Sequence, residues 1–188
     1  MRKAIIVHCW EGYPEYCWYP HTKKSLEQLG FKVLVPQFPD TKEPKLQKWL
    51  PFLHDKITEP NNELFLIGHS VGCVTILKYL ESLPERTKVG GVILVAGFTK
   101  NIGYEELKSF FKTDLDFKKI KSHCDNFVAI HSTNDKYVDL KFADVFKKEL
   151  NAMVIIKENM GHFSGTIENE NSCLELPEVI ESIKKIYE

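Results

Sequence analysis

The stretch of this chain best equipped for covalent chemistry is Gly68-His69-Ser70-Val71-Gly72, a serine flanked two residues away on each side by glycine. Ahead of it, Leu64-Phe65-Leu66-Ile67 is an apolar run of strand length. Behind it, Val74, Ile76, Leu77, Leu80 and Leu83 recur at helical spacing. The expected local structure is strand, sharp turn, helix, with the serine at the apex. Such a turn strains the serine backbone, and a Cβ at either glycine would meet neighbouring chain. The hydroxyl would then stand clear of a sheet, beside the N–H groups at a helix N-terminus. A serine hydroxyl is a weak nucleophile at neutral pH, so it needs a base, and the base needs an acid to orient it.

The acid is expected after a strand. Phe127-Val128-Ala129-Ile130 reads as one, and His131-Ser132-Thr133-Asn134-Asp135 follows it. Asp135 is therefore the candidate. Asp139 falls at the start of the next helix, where carboxylates are common for dipole reasons alone, and Asp125 precedes the strand. The base is expected in the loop after the last strand, where Gly161-His162-Phe163 stands, with Gly161 allowing the bend. Of the other histidines, His21 and His54 lie in helical surroundings and His123 before a strand. His8, His69 and His131 fall near the same edge and read as structural or pocket-lining groups. Neither an H-x-x-x-H pair nor a Cys/His cluster is present, so no metal and no cofactor is expected.

An acyl-transfer intermediate also needs donors for its oxyanion. The backbone N–H of Val71, next to the nucleophile, is one candidate. Trp10, after the first strand, is the other, unless it packs against Trp18 and Tyr19. Many hydrolases carry His-Gly here; this chain has His8-Cys9. His69, Phe163 and aromatic residues near Trp10 are candidates to line the acyl pocket.

These residues need a frame that brings them to one edge. Ala4–Val7, Phe31–Val35, Leu64–Ile67, Gly90–Ala96, Phe127–Ile130 and Ala152–Ile156 read as six strands. Helical patterns run from about Trp18 to Leu29, Lys45 to Lys56, after Ser70, Val138 to Leu150 and Leu176 to Ile186. That alternation predicts a mostly parallel sheet covered by helices on both faces, the α/β-hydrolase arrangement, in a single domain spanning residues 1–188. From Phe98 to Ser122 short apolar pairs among charges predict short helices over the sheet edge. A minimal lid and a shallow, open pocket follow from so short a segment.

Composition narrows the partners. Of 188 residues, 43% are hydrophobic and 27% charged, and the net charge of −1 leaves no basic footprint, which argues against nucleic acid. The apolar run at the N-terminus ends by His8-Cys9, and no run approaches membrane-spanning length, so neither a secretory signal nor a membrane is expected. Five cysteines without zinc-type pairs fit a reducing, cytoplasmic setting. Nothing in the sequence sets an oligomeric state.

Taken together, His8-Cys9-Trp10, Phe38-Pro39-Asp40 with Trp49-Leu50-Pro51, Gly68-His69-Ser70, Ile93 to Phe98, Ser132 to Asp135 and Gly161-His162-Phe163 resemble the small serine-hydrolase family of retinoblastoma-binding protein nine and its bacterial relatives. The resemblance covers nearly the whole chain. It implies a compact α/β-hydrolase with little or no lid and a triad at Ser70, Asp135 and His162. It implies no particular substrate. An L-x-C-x-E segment, associated with protein binding in the animal member, is not matched around Cys173-Leu174-Glu175. The expected function is a serine hydrolase that cleaves a small acyl ester, thioester or amide. The competing expectation is a non-catalytic protein-binding module on the same scaffold.

Overall fold

Strand formation here follows the period of two. In β1 (Lys3–Val7), Ile5 and Val7 face one apolar cluster while Ala4 and Ile6 face another. In β3 (Leu64–His69), Leu64 and Leu66 divide from Phe65 and Ile67 in the same way. Both faces are apolar, so both must be covered, as a parallel sheet requires. The computed structural model describes residues 1–165 and 173–188. Its strands are completed by β2 (Lys32–Leu34), β4 (Gly91–Val95), β5 (Phe127–Ser132) and β6 (Met153–Lys157). All pairs are parallel, in the order β2-β1-β3-β4-β5-β6.

Helices α1 (Tyr19–Gln28) and α6 (Pro177–Tyr187) cover one face. Helices α2 (Leu46–Lys56), α3 (Val71–Ser82), α4 (Phe117–Ser122) and α5 (Lys141–Leu150) cover the other. Helix α3 is buried from Val71 to Leu80, so it is apolar almost all round. Its Lys78 is the charged exception. The buried ammonium donates to Glu81 at 2.8 Å and to the carbonyls of Thr113 and Asp114, both at 3.2 Å. It thereby fastens the segment over the sheet edge to the helix beneath. That segment holds a 3-10 helix, Glu105–Phe111, and then α4, matching the expected short helices.

Most element ends shift by a residue or two from the sequence reading, and the start of α5 by three. Strand β2 is shorter than Phe31–Val35. Helix α5 starts at Lys141 rather than Val138, because Tyr137 and Val138 turn their N–H groups onto the Asp135 carboxylate instead.

The strand order reverses between β1 and β3. Chain leaving the C-terminal ends of these neighbours diverges to opposite faces, and a crevice opens between the two loops. Ser70 and Trp10 stand at its two sides.

Candidate active site

Ser70 has φ 55° and ψ −119°, outside the regions a non-glycine residue normally occupies. Strain of this kind costs about 1–3 kcal/mol and persists only where the surroundings enforce it. Here they do. The Ser70 N–H donates to the Val95 carbonyl at 2.9 Å, and its own carbonyl accepts from Cys73 N–H at 3.0 Å. The glycines allow close approach. A Cβ on Gly72 would lie 2.2 Å from the Val7 carbonyl oxygen, and one on Gly68 would lie 2.7 Å from Cys73 Cα. The elbow helix is thus pressed directly against the end of β1, as the glycine spacing predicts.

Asp135 and His162 meet. His162 Nδ1 is 2.8 Å from Asp135 Oδ2, and both side chains are nearly closed to solvent. The other carboxylate oxygen, Oδ1, accepts the N–H groups of Tyr137 at 2.9 Å and Val138 at 3.0 Å. Burial alone would push this carboxyl's pKa up. The hydrogen bond and charge of His162, with those two amides, outweigh it and hold the pKa below the usual carboxylate value. Asp135 is therefore an anion, and the hydrogen that bridges the pair sits on His162 Nδ1, turned toward the carboxylate.

The two loops that carry this pair are stitched together residue by residue. Thr133 N–H donates to the Lys157 carbonyl, and Met160 N–H to Ser132 Oγ, both at 2.9 Å. Gly161 N–H donates to Asn134 Oδ1 at 2.8 Å. Ser132 Oγ in turn donates to Asn134 Oδ1 at 2.9 Å. Sequence reasoning had no role for these side chains, although a run of Ser, Thr and Asn just before an acid is well suited to gripping a neighbouring backbone. Asp139 is exposed and engages Lys141, and Asp125 pairs with Lys88 at the opposite end of β5; neither approaches His162.

Ser70, Val71, His162 and Trp10 line one cavity of about 170 Å³. Val71 is the first residue of α3, where the helix supplies no acceptor for its N–H. The remaining walls include Cys9, Tyr16, Tyr137 and Ser164, with Ile102, Tyr104 and Leu107 from the segment over the edge. The Trp10 ring meets Tyr104 edge-on at 5.5 Å, and its Nε1–H donates to the Lys42 carbonyl at 3.0 Å. Packing against Trp18 and Tyr19 is therefore not what holds it.

Two expected pocket residues are placed elsewhere. His69 and Phe163 are completely buried and outside the cavity, because Phe163 joins the apolar layer beneath the edge that carries Ser70 and His69 packs on Trp18 and Tyr19 of that layer. His69 lies under the base loop, its Nε2 2.8 Å from the His162 carbonyl and its Nδ1 2.7 Å from Tyr19 Oη. His8 and His131 are buried as well, and burial lowers each to about 4. Neither lines the cavity. Ile102, Tyr104 and Tyr137, from loops, and Leu107, from the short 3-10 helix, were missed, since no periodic pattern marks them.

A parallel sheet with helices on both faces and a serine on a strained strand-to-helix turn defines an α/β-hydrolase. The family model for serine hydrolases matches residues 4–182, and the chain belongs to that family. The chain is 29% identical to YdeN of Bacillus subtilis (strain 168) over 163 residues, covering 86% of both proteins. Its fold superposes on the YdeN crystal structure with a TM-score of 0.92, at 28% identity, over 100% of this chain and 99% of that one. The serine hydrolase RBBP9 of Rattus norvegicus is 29% identical over 169 residues, covering 87% of this chain and 88% of that protein. The likeness extends, as fold alone, to a carboxylesterase structure from the thaumarchaeon Nitrososphaera gargenis. Its TM-score is 0.69 at 13% identity, over 98% of this chain and 89% of that one.

Among the described residues, no helix is long and apolar enough to cross a membrane, and no group of three or more His, Cys, Asp or Glu is placed to hold a metal ion.

Proposed function

We propose that this hydrolase is carboxylesterase-like and cleaves small acyl esters through a Ser70–His162–Asp135 triad. The observation that carries the reading is the shared cavity: a strained serine, an aspartate-held imidazole and a helix N-terminus open onto one largely apolar space. Ser70 Oγ attacks the substrate carbonyl while His162 Nε2 takes its proton. The N–H groups of Val71 and Trp10 hold the oxyanion, and Asp135 stabilises the imidazolium. The tetrahedral intermediate collapses, the C–O bond to the alcohol breaks, and His162 returns its proton to the leaving oxygen. Water then attacks the acyl-enzyme with His162 as base, and free acid leaves. Esters are favoured over amides because an alkoxide is the easier leaving group.

Size limits the acyl group. A cavity of about 170 Å³ is close to the ~150 Å³ apolar cavity known to take up benzene, so it suits a short aliphatic chain or a single ring. The buried thiols of all five cysteines fit a reducing compartment such as the cytoplasm. The test is a series of p-nitrophenyl esters of increasing acyl length. The reading expects kcat/KM to peak at short chains and hydrolysis to vanish in Ser70→Ala. Hydrolysis that survives in Ser70→Ala, or an optimum at long chains, contradicts it.

A further inference from the structure

We infer that Tyr19 and His69 are positioning residues, forming a one-way hydrogen-bond relay that ties the loop after β1 to the loop carrying His162. The inference rests on reading Ser70 as the nucleophile, His162 as its base and Trp10 as an oxyanion donor. Its direction is set at both ends. At one end a carbonyl oxygen, that of His162, can only accept, so His69 Nε2 bears the hydrogen across 2.8 Å. Burial, with His162 beside it, depresses the His69 pKa to about 3, so the ring is neutral and Nδ1 is an acceptor. Tyr19 Oη, 2.7 Å away, therefore donates its proton to Nδ1. At the other end Cys9 N–H can only donate, and it does so to Tyr19 Oη at 3.1 Å. The fixed acceptor at one end and the fixed donor at the other leave no reversed arrangement that satisfies both.

A second buried histidine completes the grip on the first loop, in the opposite tautomer. His8 Nε2 accepts the Phe38 N–H at 3.0 Å, so Nδ1 bears the hydrogen and donates to the Cys9 carbonyl at 2.8 Å. That carbonyl shares a planar peptide unit with the Trp10 N–H, so holding the oxygen also sets the direction in which the Trp10 N–H points. On the second loop, the backbone turns through positive φ at Gly161 (53°) and again at Phe163 (53°). The peptide between His162 and Phe163 is the one His69 holds. A strained turn of this kind needs such a restraint. The relay thus fixes the oxyanion donor and the base relative to each other, through side chains that never touch substrate.

The experiment pairs nitrogen-15 histidine NMR at neutral pH with kinetics on Tyr19→Phe, which keeps the ring and deletes the central proton of the relay. In the wild type, His69 is expected to carry its proton on Nε2 and His8 on Nδ1. In Tyr19→Phe, kcat for p-nitrophenyl butyrate per fluorophosphonate-titrated site is expected to fall about 10- to 100-fold with KM within about twofold, the scale on which misplaced catalytic groups act. A tyrosine that only filled the core would lower the unfolding midpoint and leave kcat per titrated site unchanged. That result, in a folded variant, overturns the relay and leaves the hydrolase reading intact. So does a wild-type His69 protonated on Nδ1, which decides the matter even where Tyr19→Phe does not fold. A wild type in which the probe does not react at Ser70 overturns the hydrolase reading itself, and the relay's catalytic role with it.

Discussion

At the scale of single residues, the proposed chemistry turns most on the choice between Asp135 and Asp139. Asp135 is closed to solvent, faces Nδ1 of His162 and accepts two backbone amides, whereas Asp139 is exposed beside Lys141. An asparagine at 135 keeps the shape but no longer favours the Nδ1–H tautomer or stabilises the imidazolium. Asp135→Asn is therefore expected to lower kcat by about 10³- to 10⁴-fold. Asp139→Asn, like most surface changes, is expected to stay within about twofold of wild type. Steady-state kinetics on both variants checks the assignment, and a crippled Asp139→Asn beside an active Asp135→Asn reverses it. Chain order and strand ends singled out Ser70, Asp135 and His162, and the structure sets Asp135 against His162 and opens Ser70 and His162 onto one cavity. Chain order and strand ends were not enough to see that His69 points inward. Its neighbours in the sequence say nothing of the Tyr19 hydroxyl that meets it from the first helix.

Elements succeed or fail by how closely they approach. The elbow helix lies against the end of β1 with no room for a methyl group at Gly72, and the atom it would strike is backbone, which cannot rotate away. Gly72→Ala is expected to cost about 3 kcal/mol or more of stability, at the upper end of overpacking effects, and to disturb Ser70 and the Trp10 loop together. Urea denaturation read by tryptophan fluorescence measures this directly; a loss below ~1 kcal/mol would mean the helix is free to slide. At this scale the sequence was most legible where periodicity is strong. All six strands and the five longer helices were in place, because two-sided burial writes continuous apolar runs and one-sided burial writes a helical stripe. Legibility failed where local bonds compete with the helix. At the start of α5, Tyr137 and Val138 serve the carboxylate of Asp135, which no propensity encodes.

Across the whole molecule, the buried histidines make stability depend on pH. His8 and His131 are depressed to about 4 and His69 to about 3, each chiefly by burial, against 6.5 in an exposed ring. The unfolded chain therefore binds protons that the native state refuses. The stability these groups contribute is fully present above pH ~6.5 and is lost as pH falls from there toward 4. The Asp135 carboxyl, held low, adds a further loss only below its unfolded value of 3.8. Three groups acting together are expected to remove several kcal/mol between pH 7 and pH 4.5, on the order of 1.4 kcal/mol per group per pH unit. Urea unfolding across that range tests the expectation. A flat profile would mean that the interior histidines are solvated or already charged.

The proposed chemistry depends most on Ser70 being a nucleophile made reactive by His162 and Asp135. Intact-protein mass spectrometry after exposure to a fluorophosphonate measures that reactivity without any choice of substrate. Wild type is expected to gain one phosphonyl group, mapped to Ser70. Ser70→Ala is expected to gain none, and His162→Ala and Asp135→Asn to react far more slowly. A folded wild type that stays unmodified, or labelling that proceeds at the same rate without His162, would contradict the account.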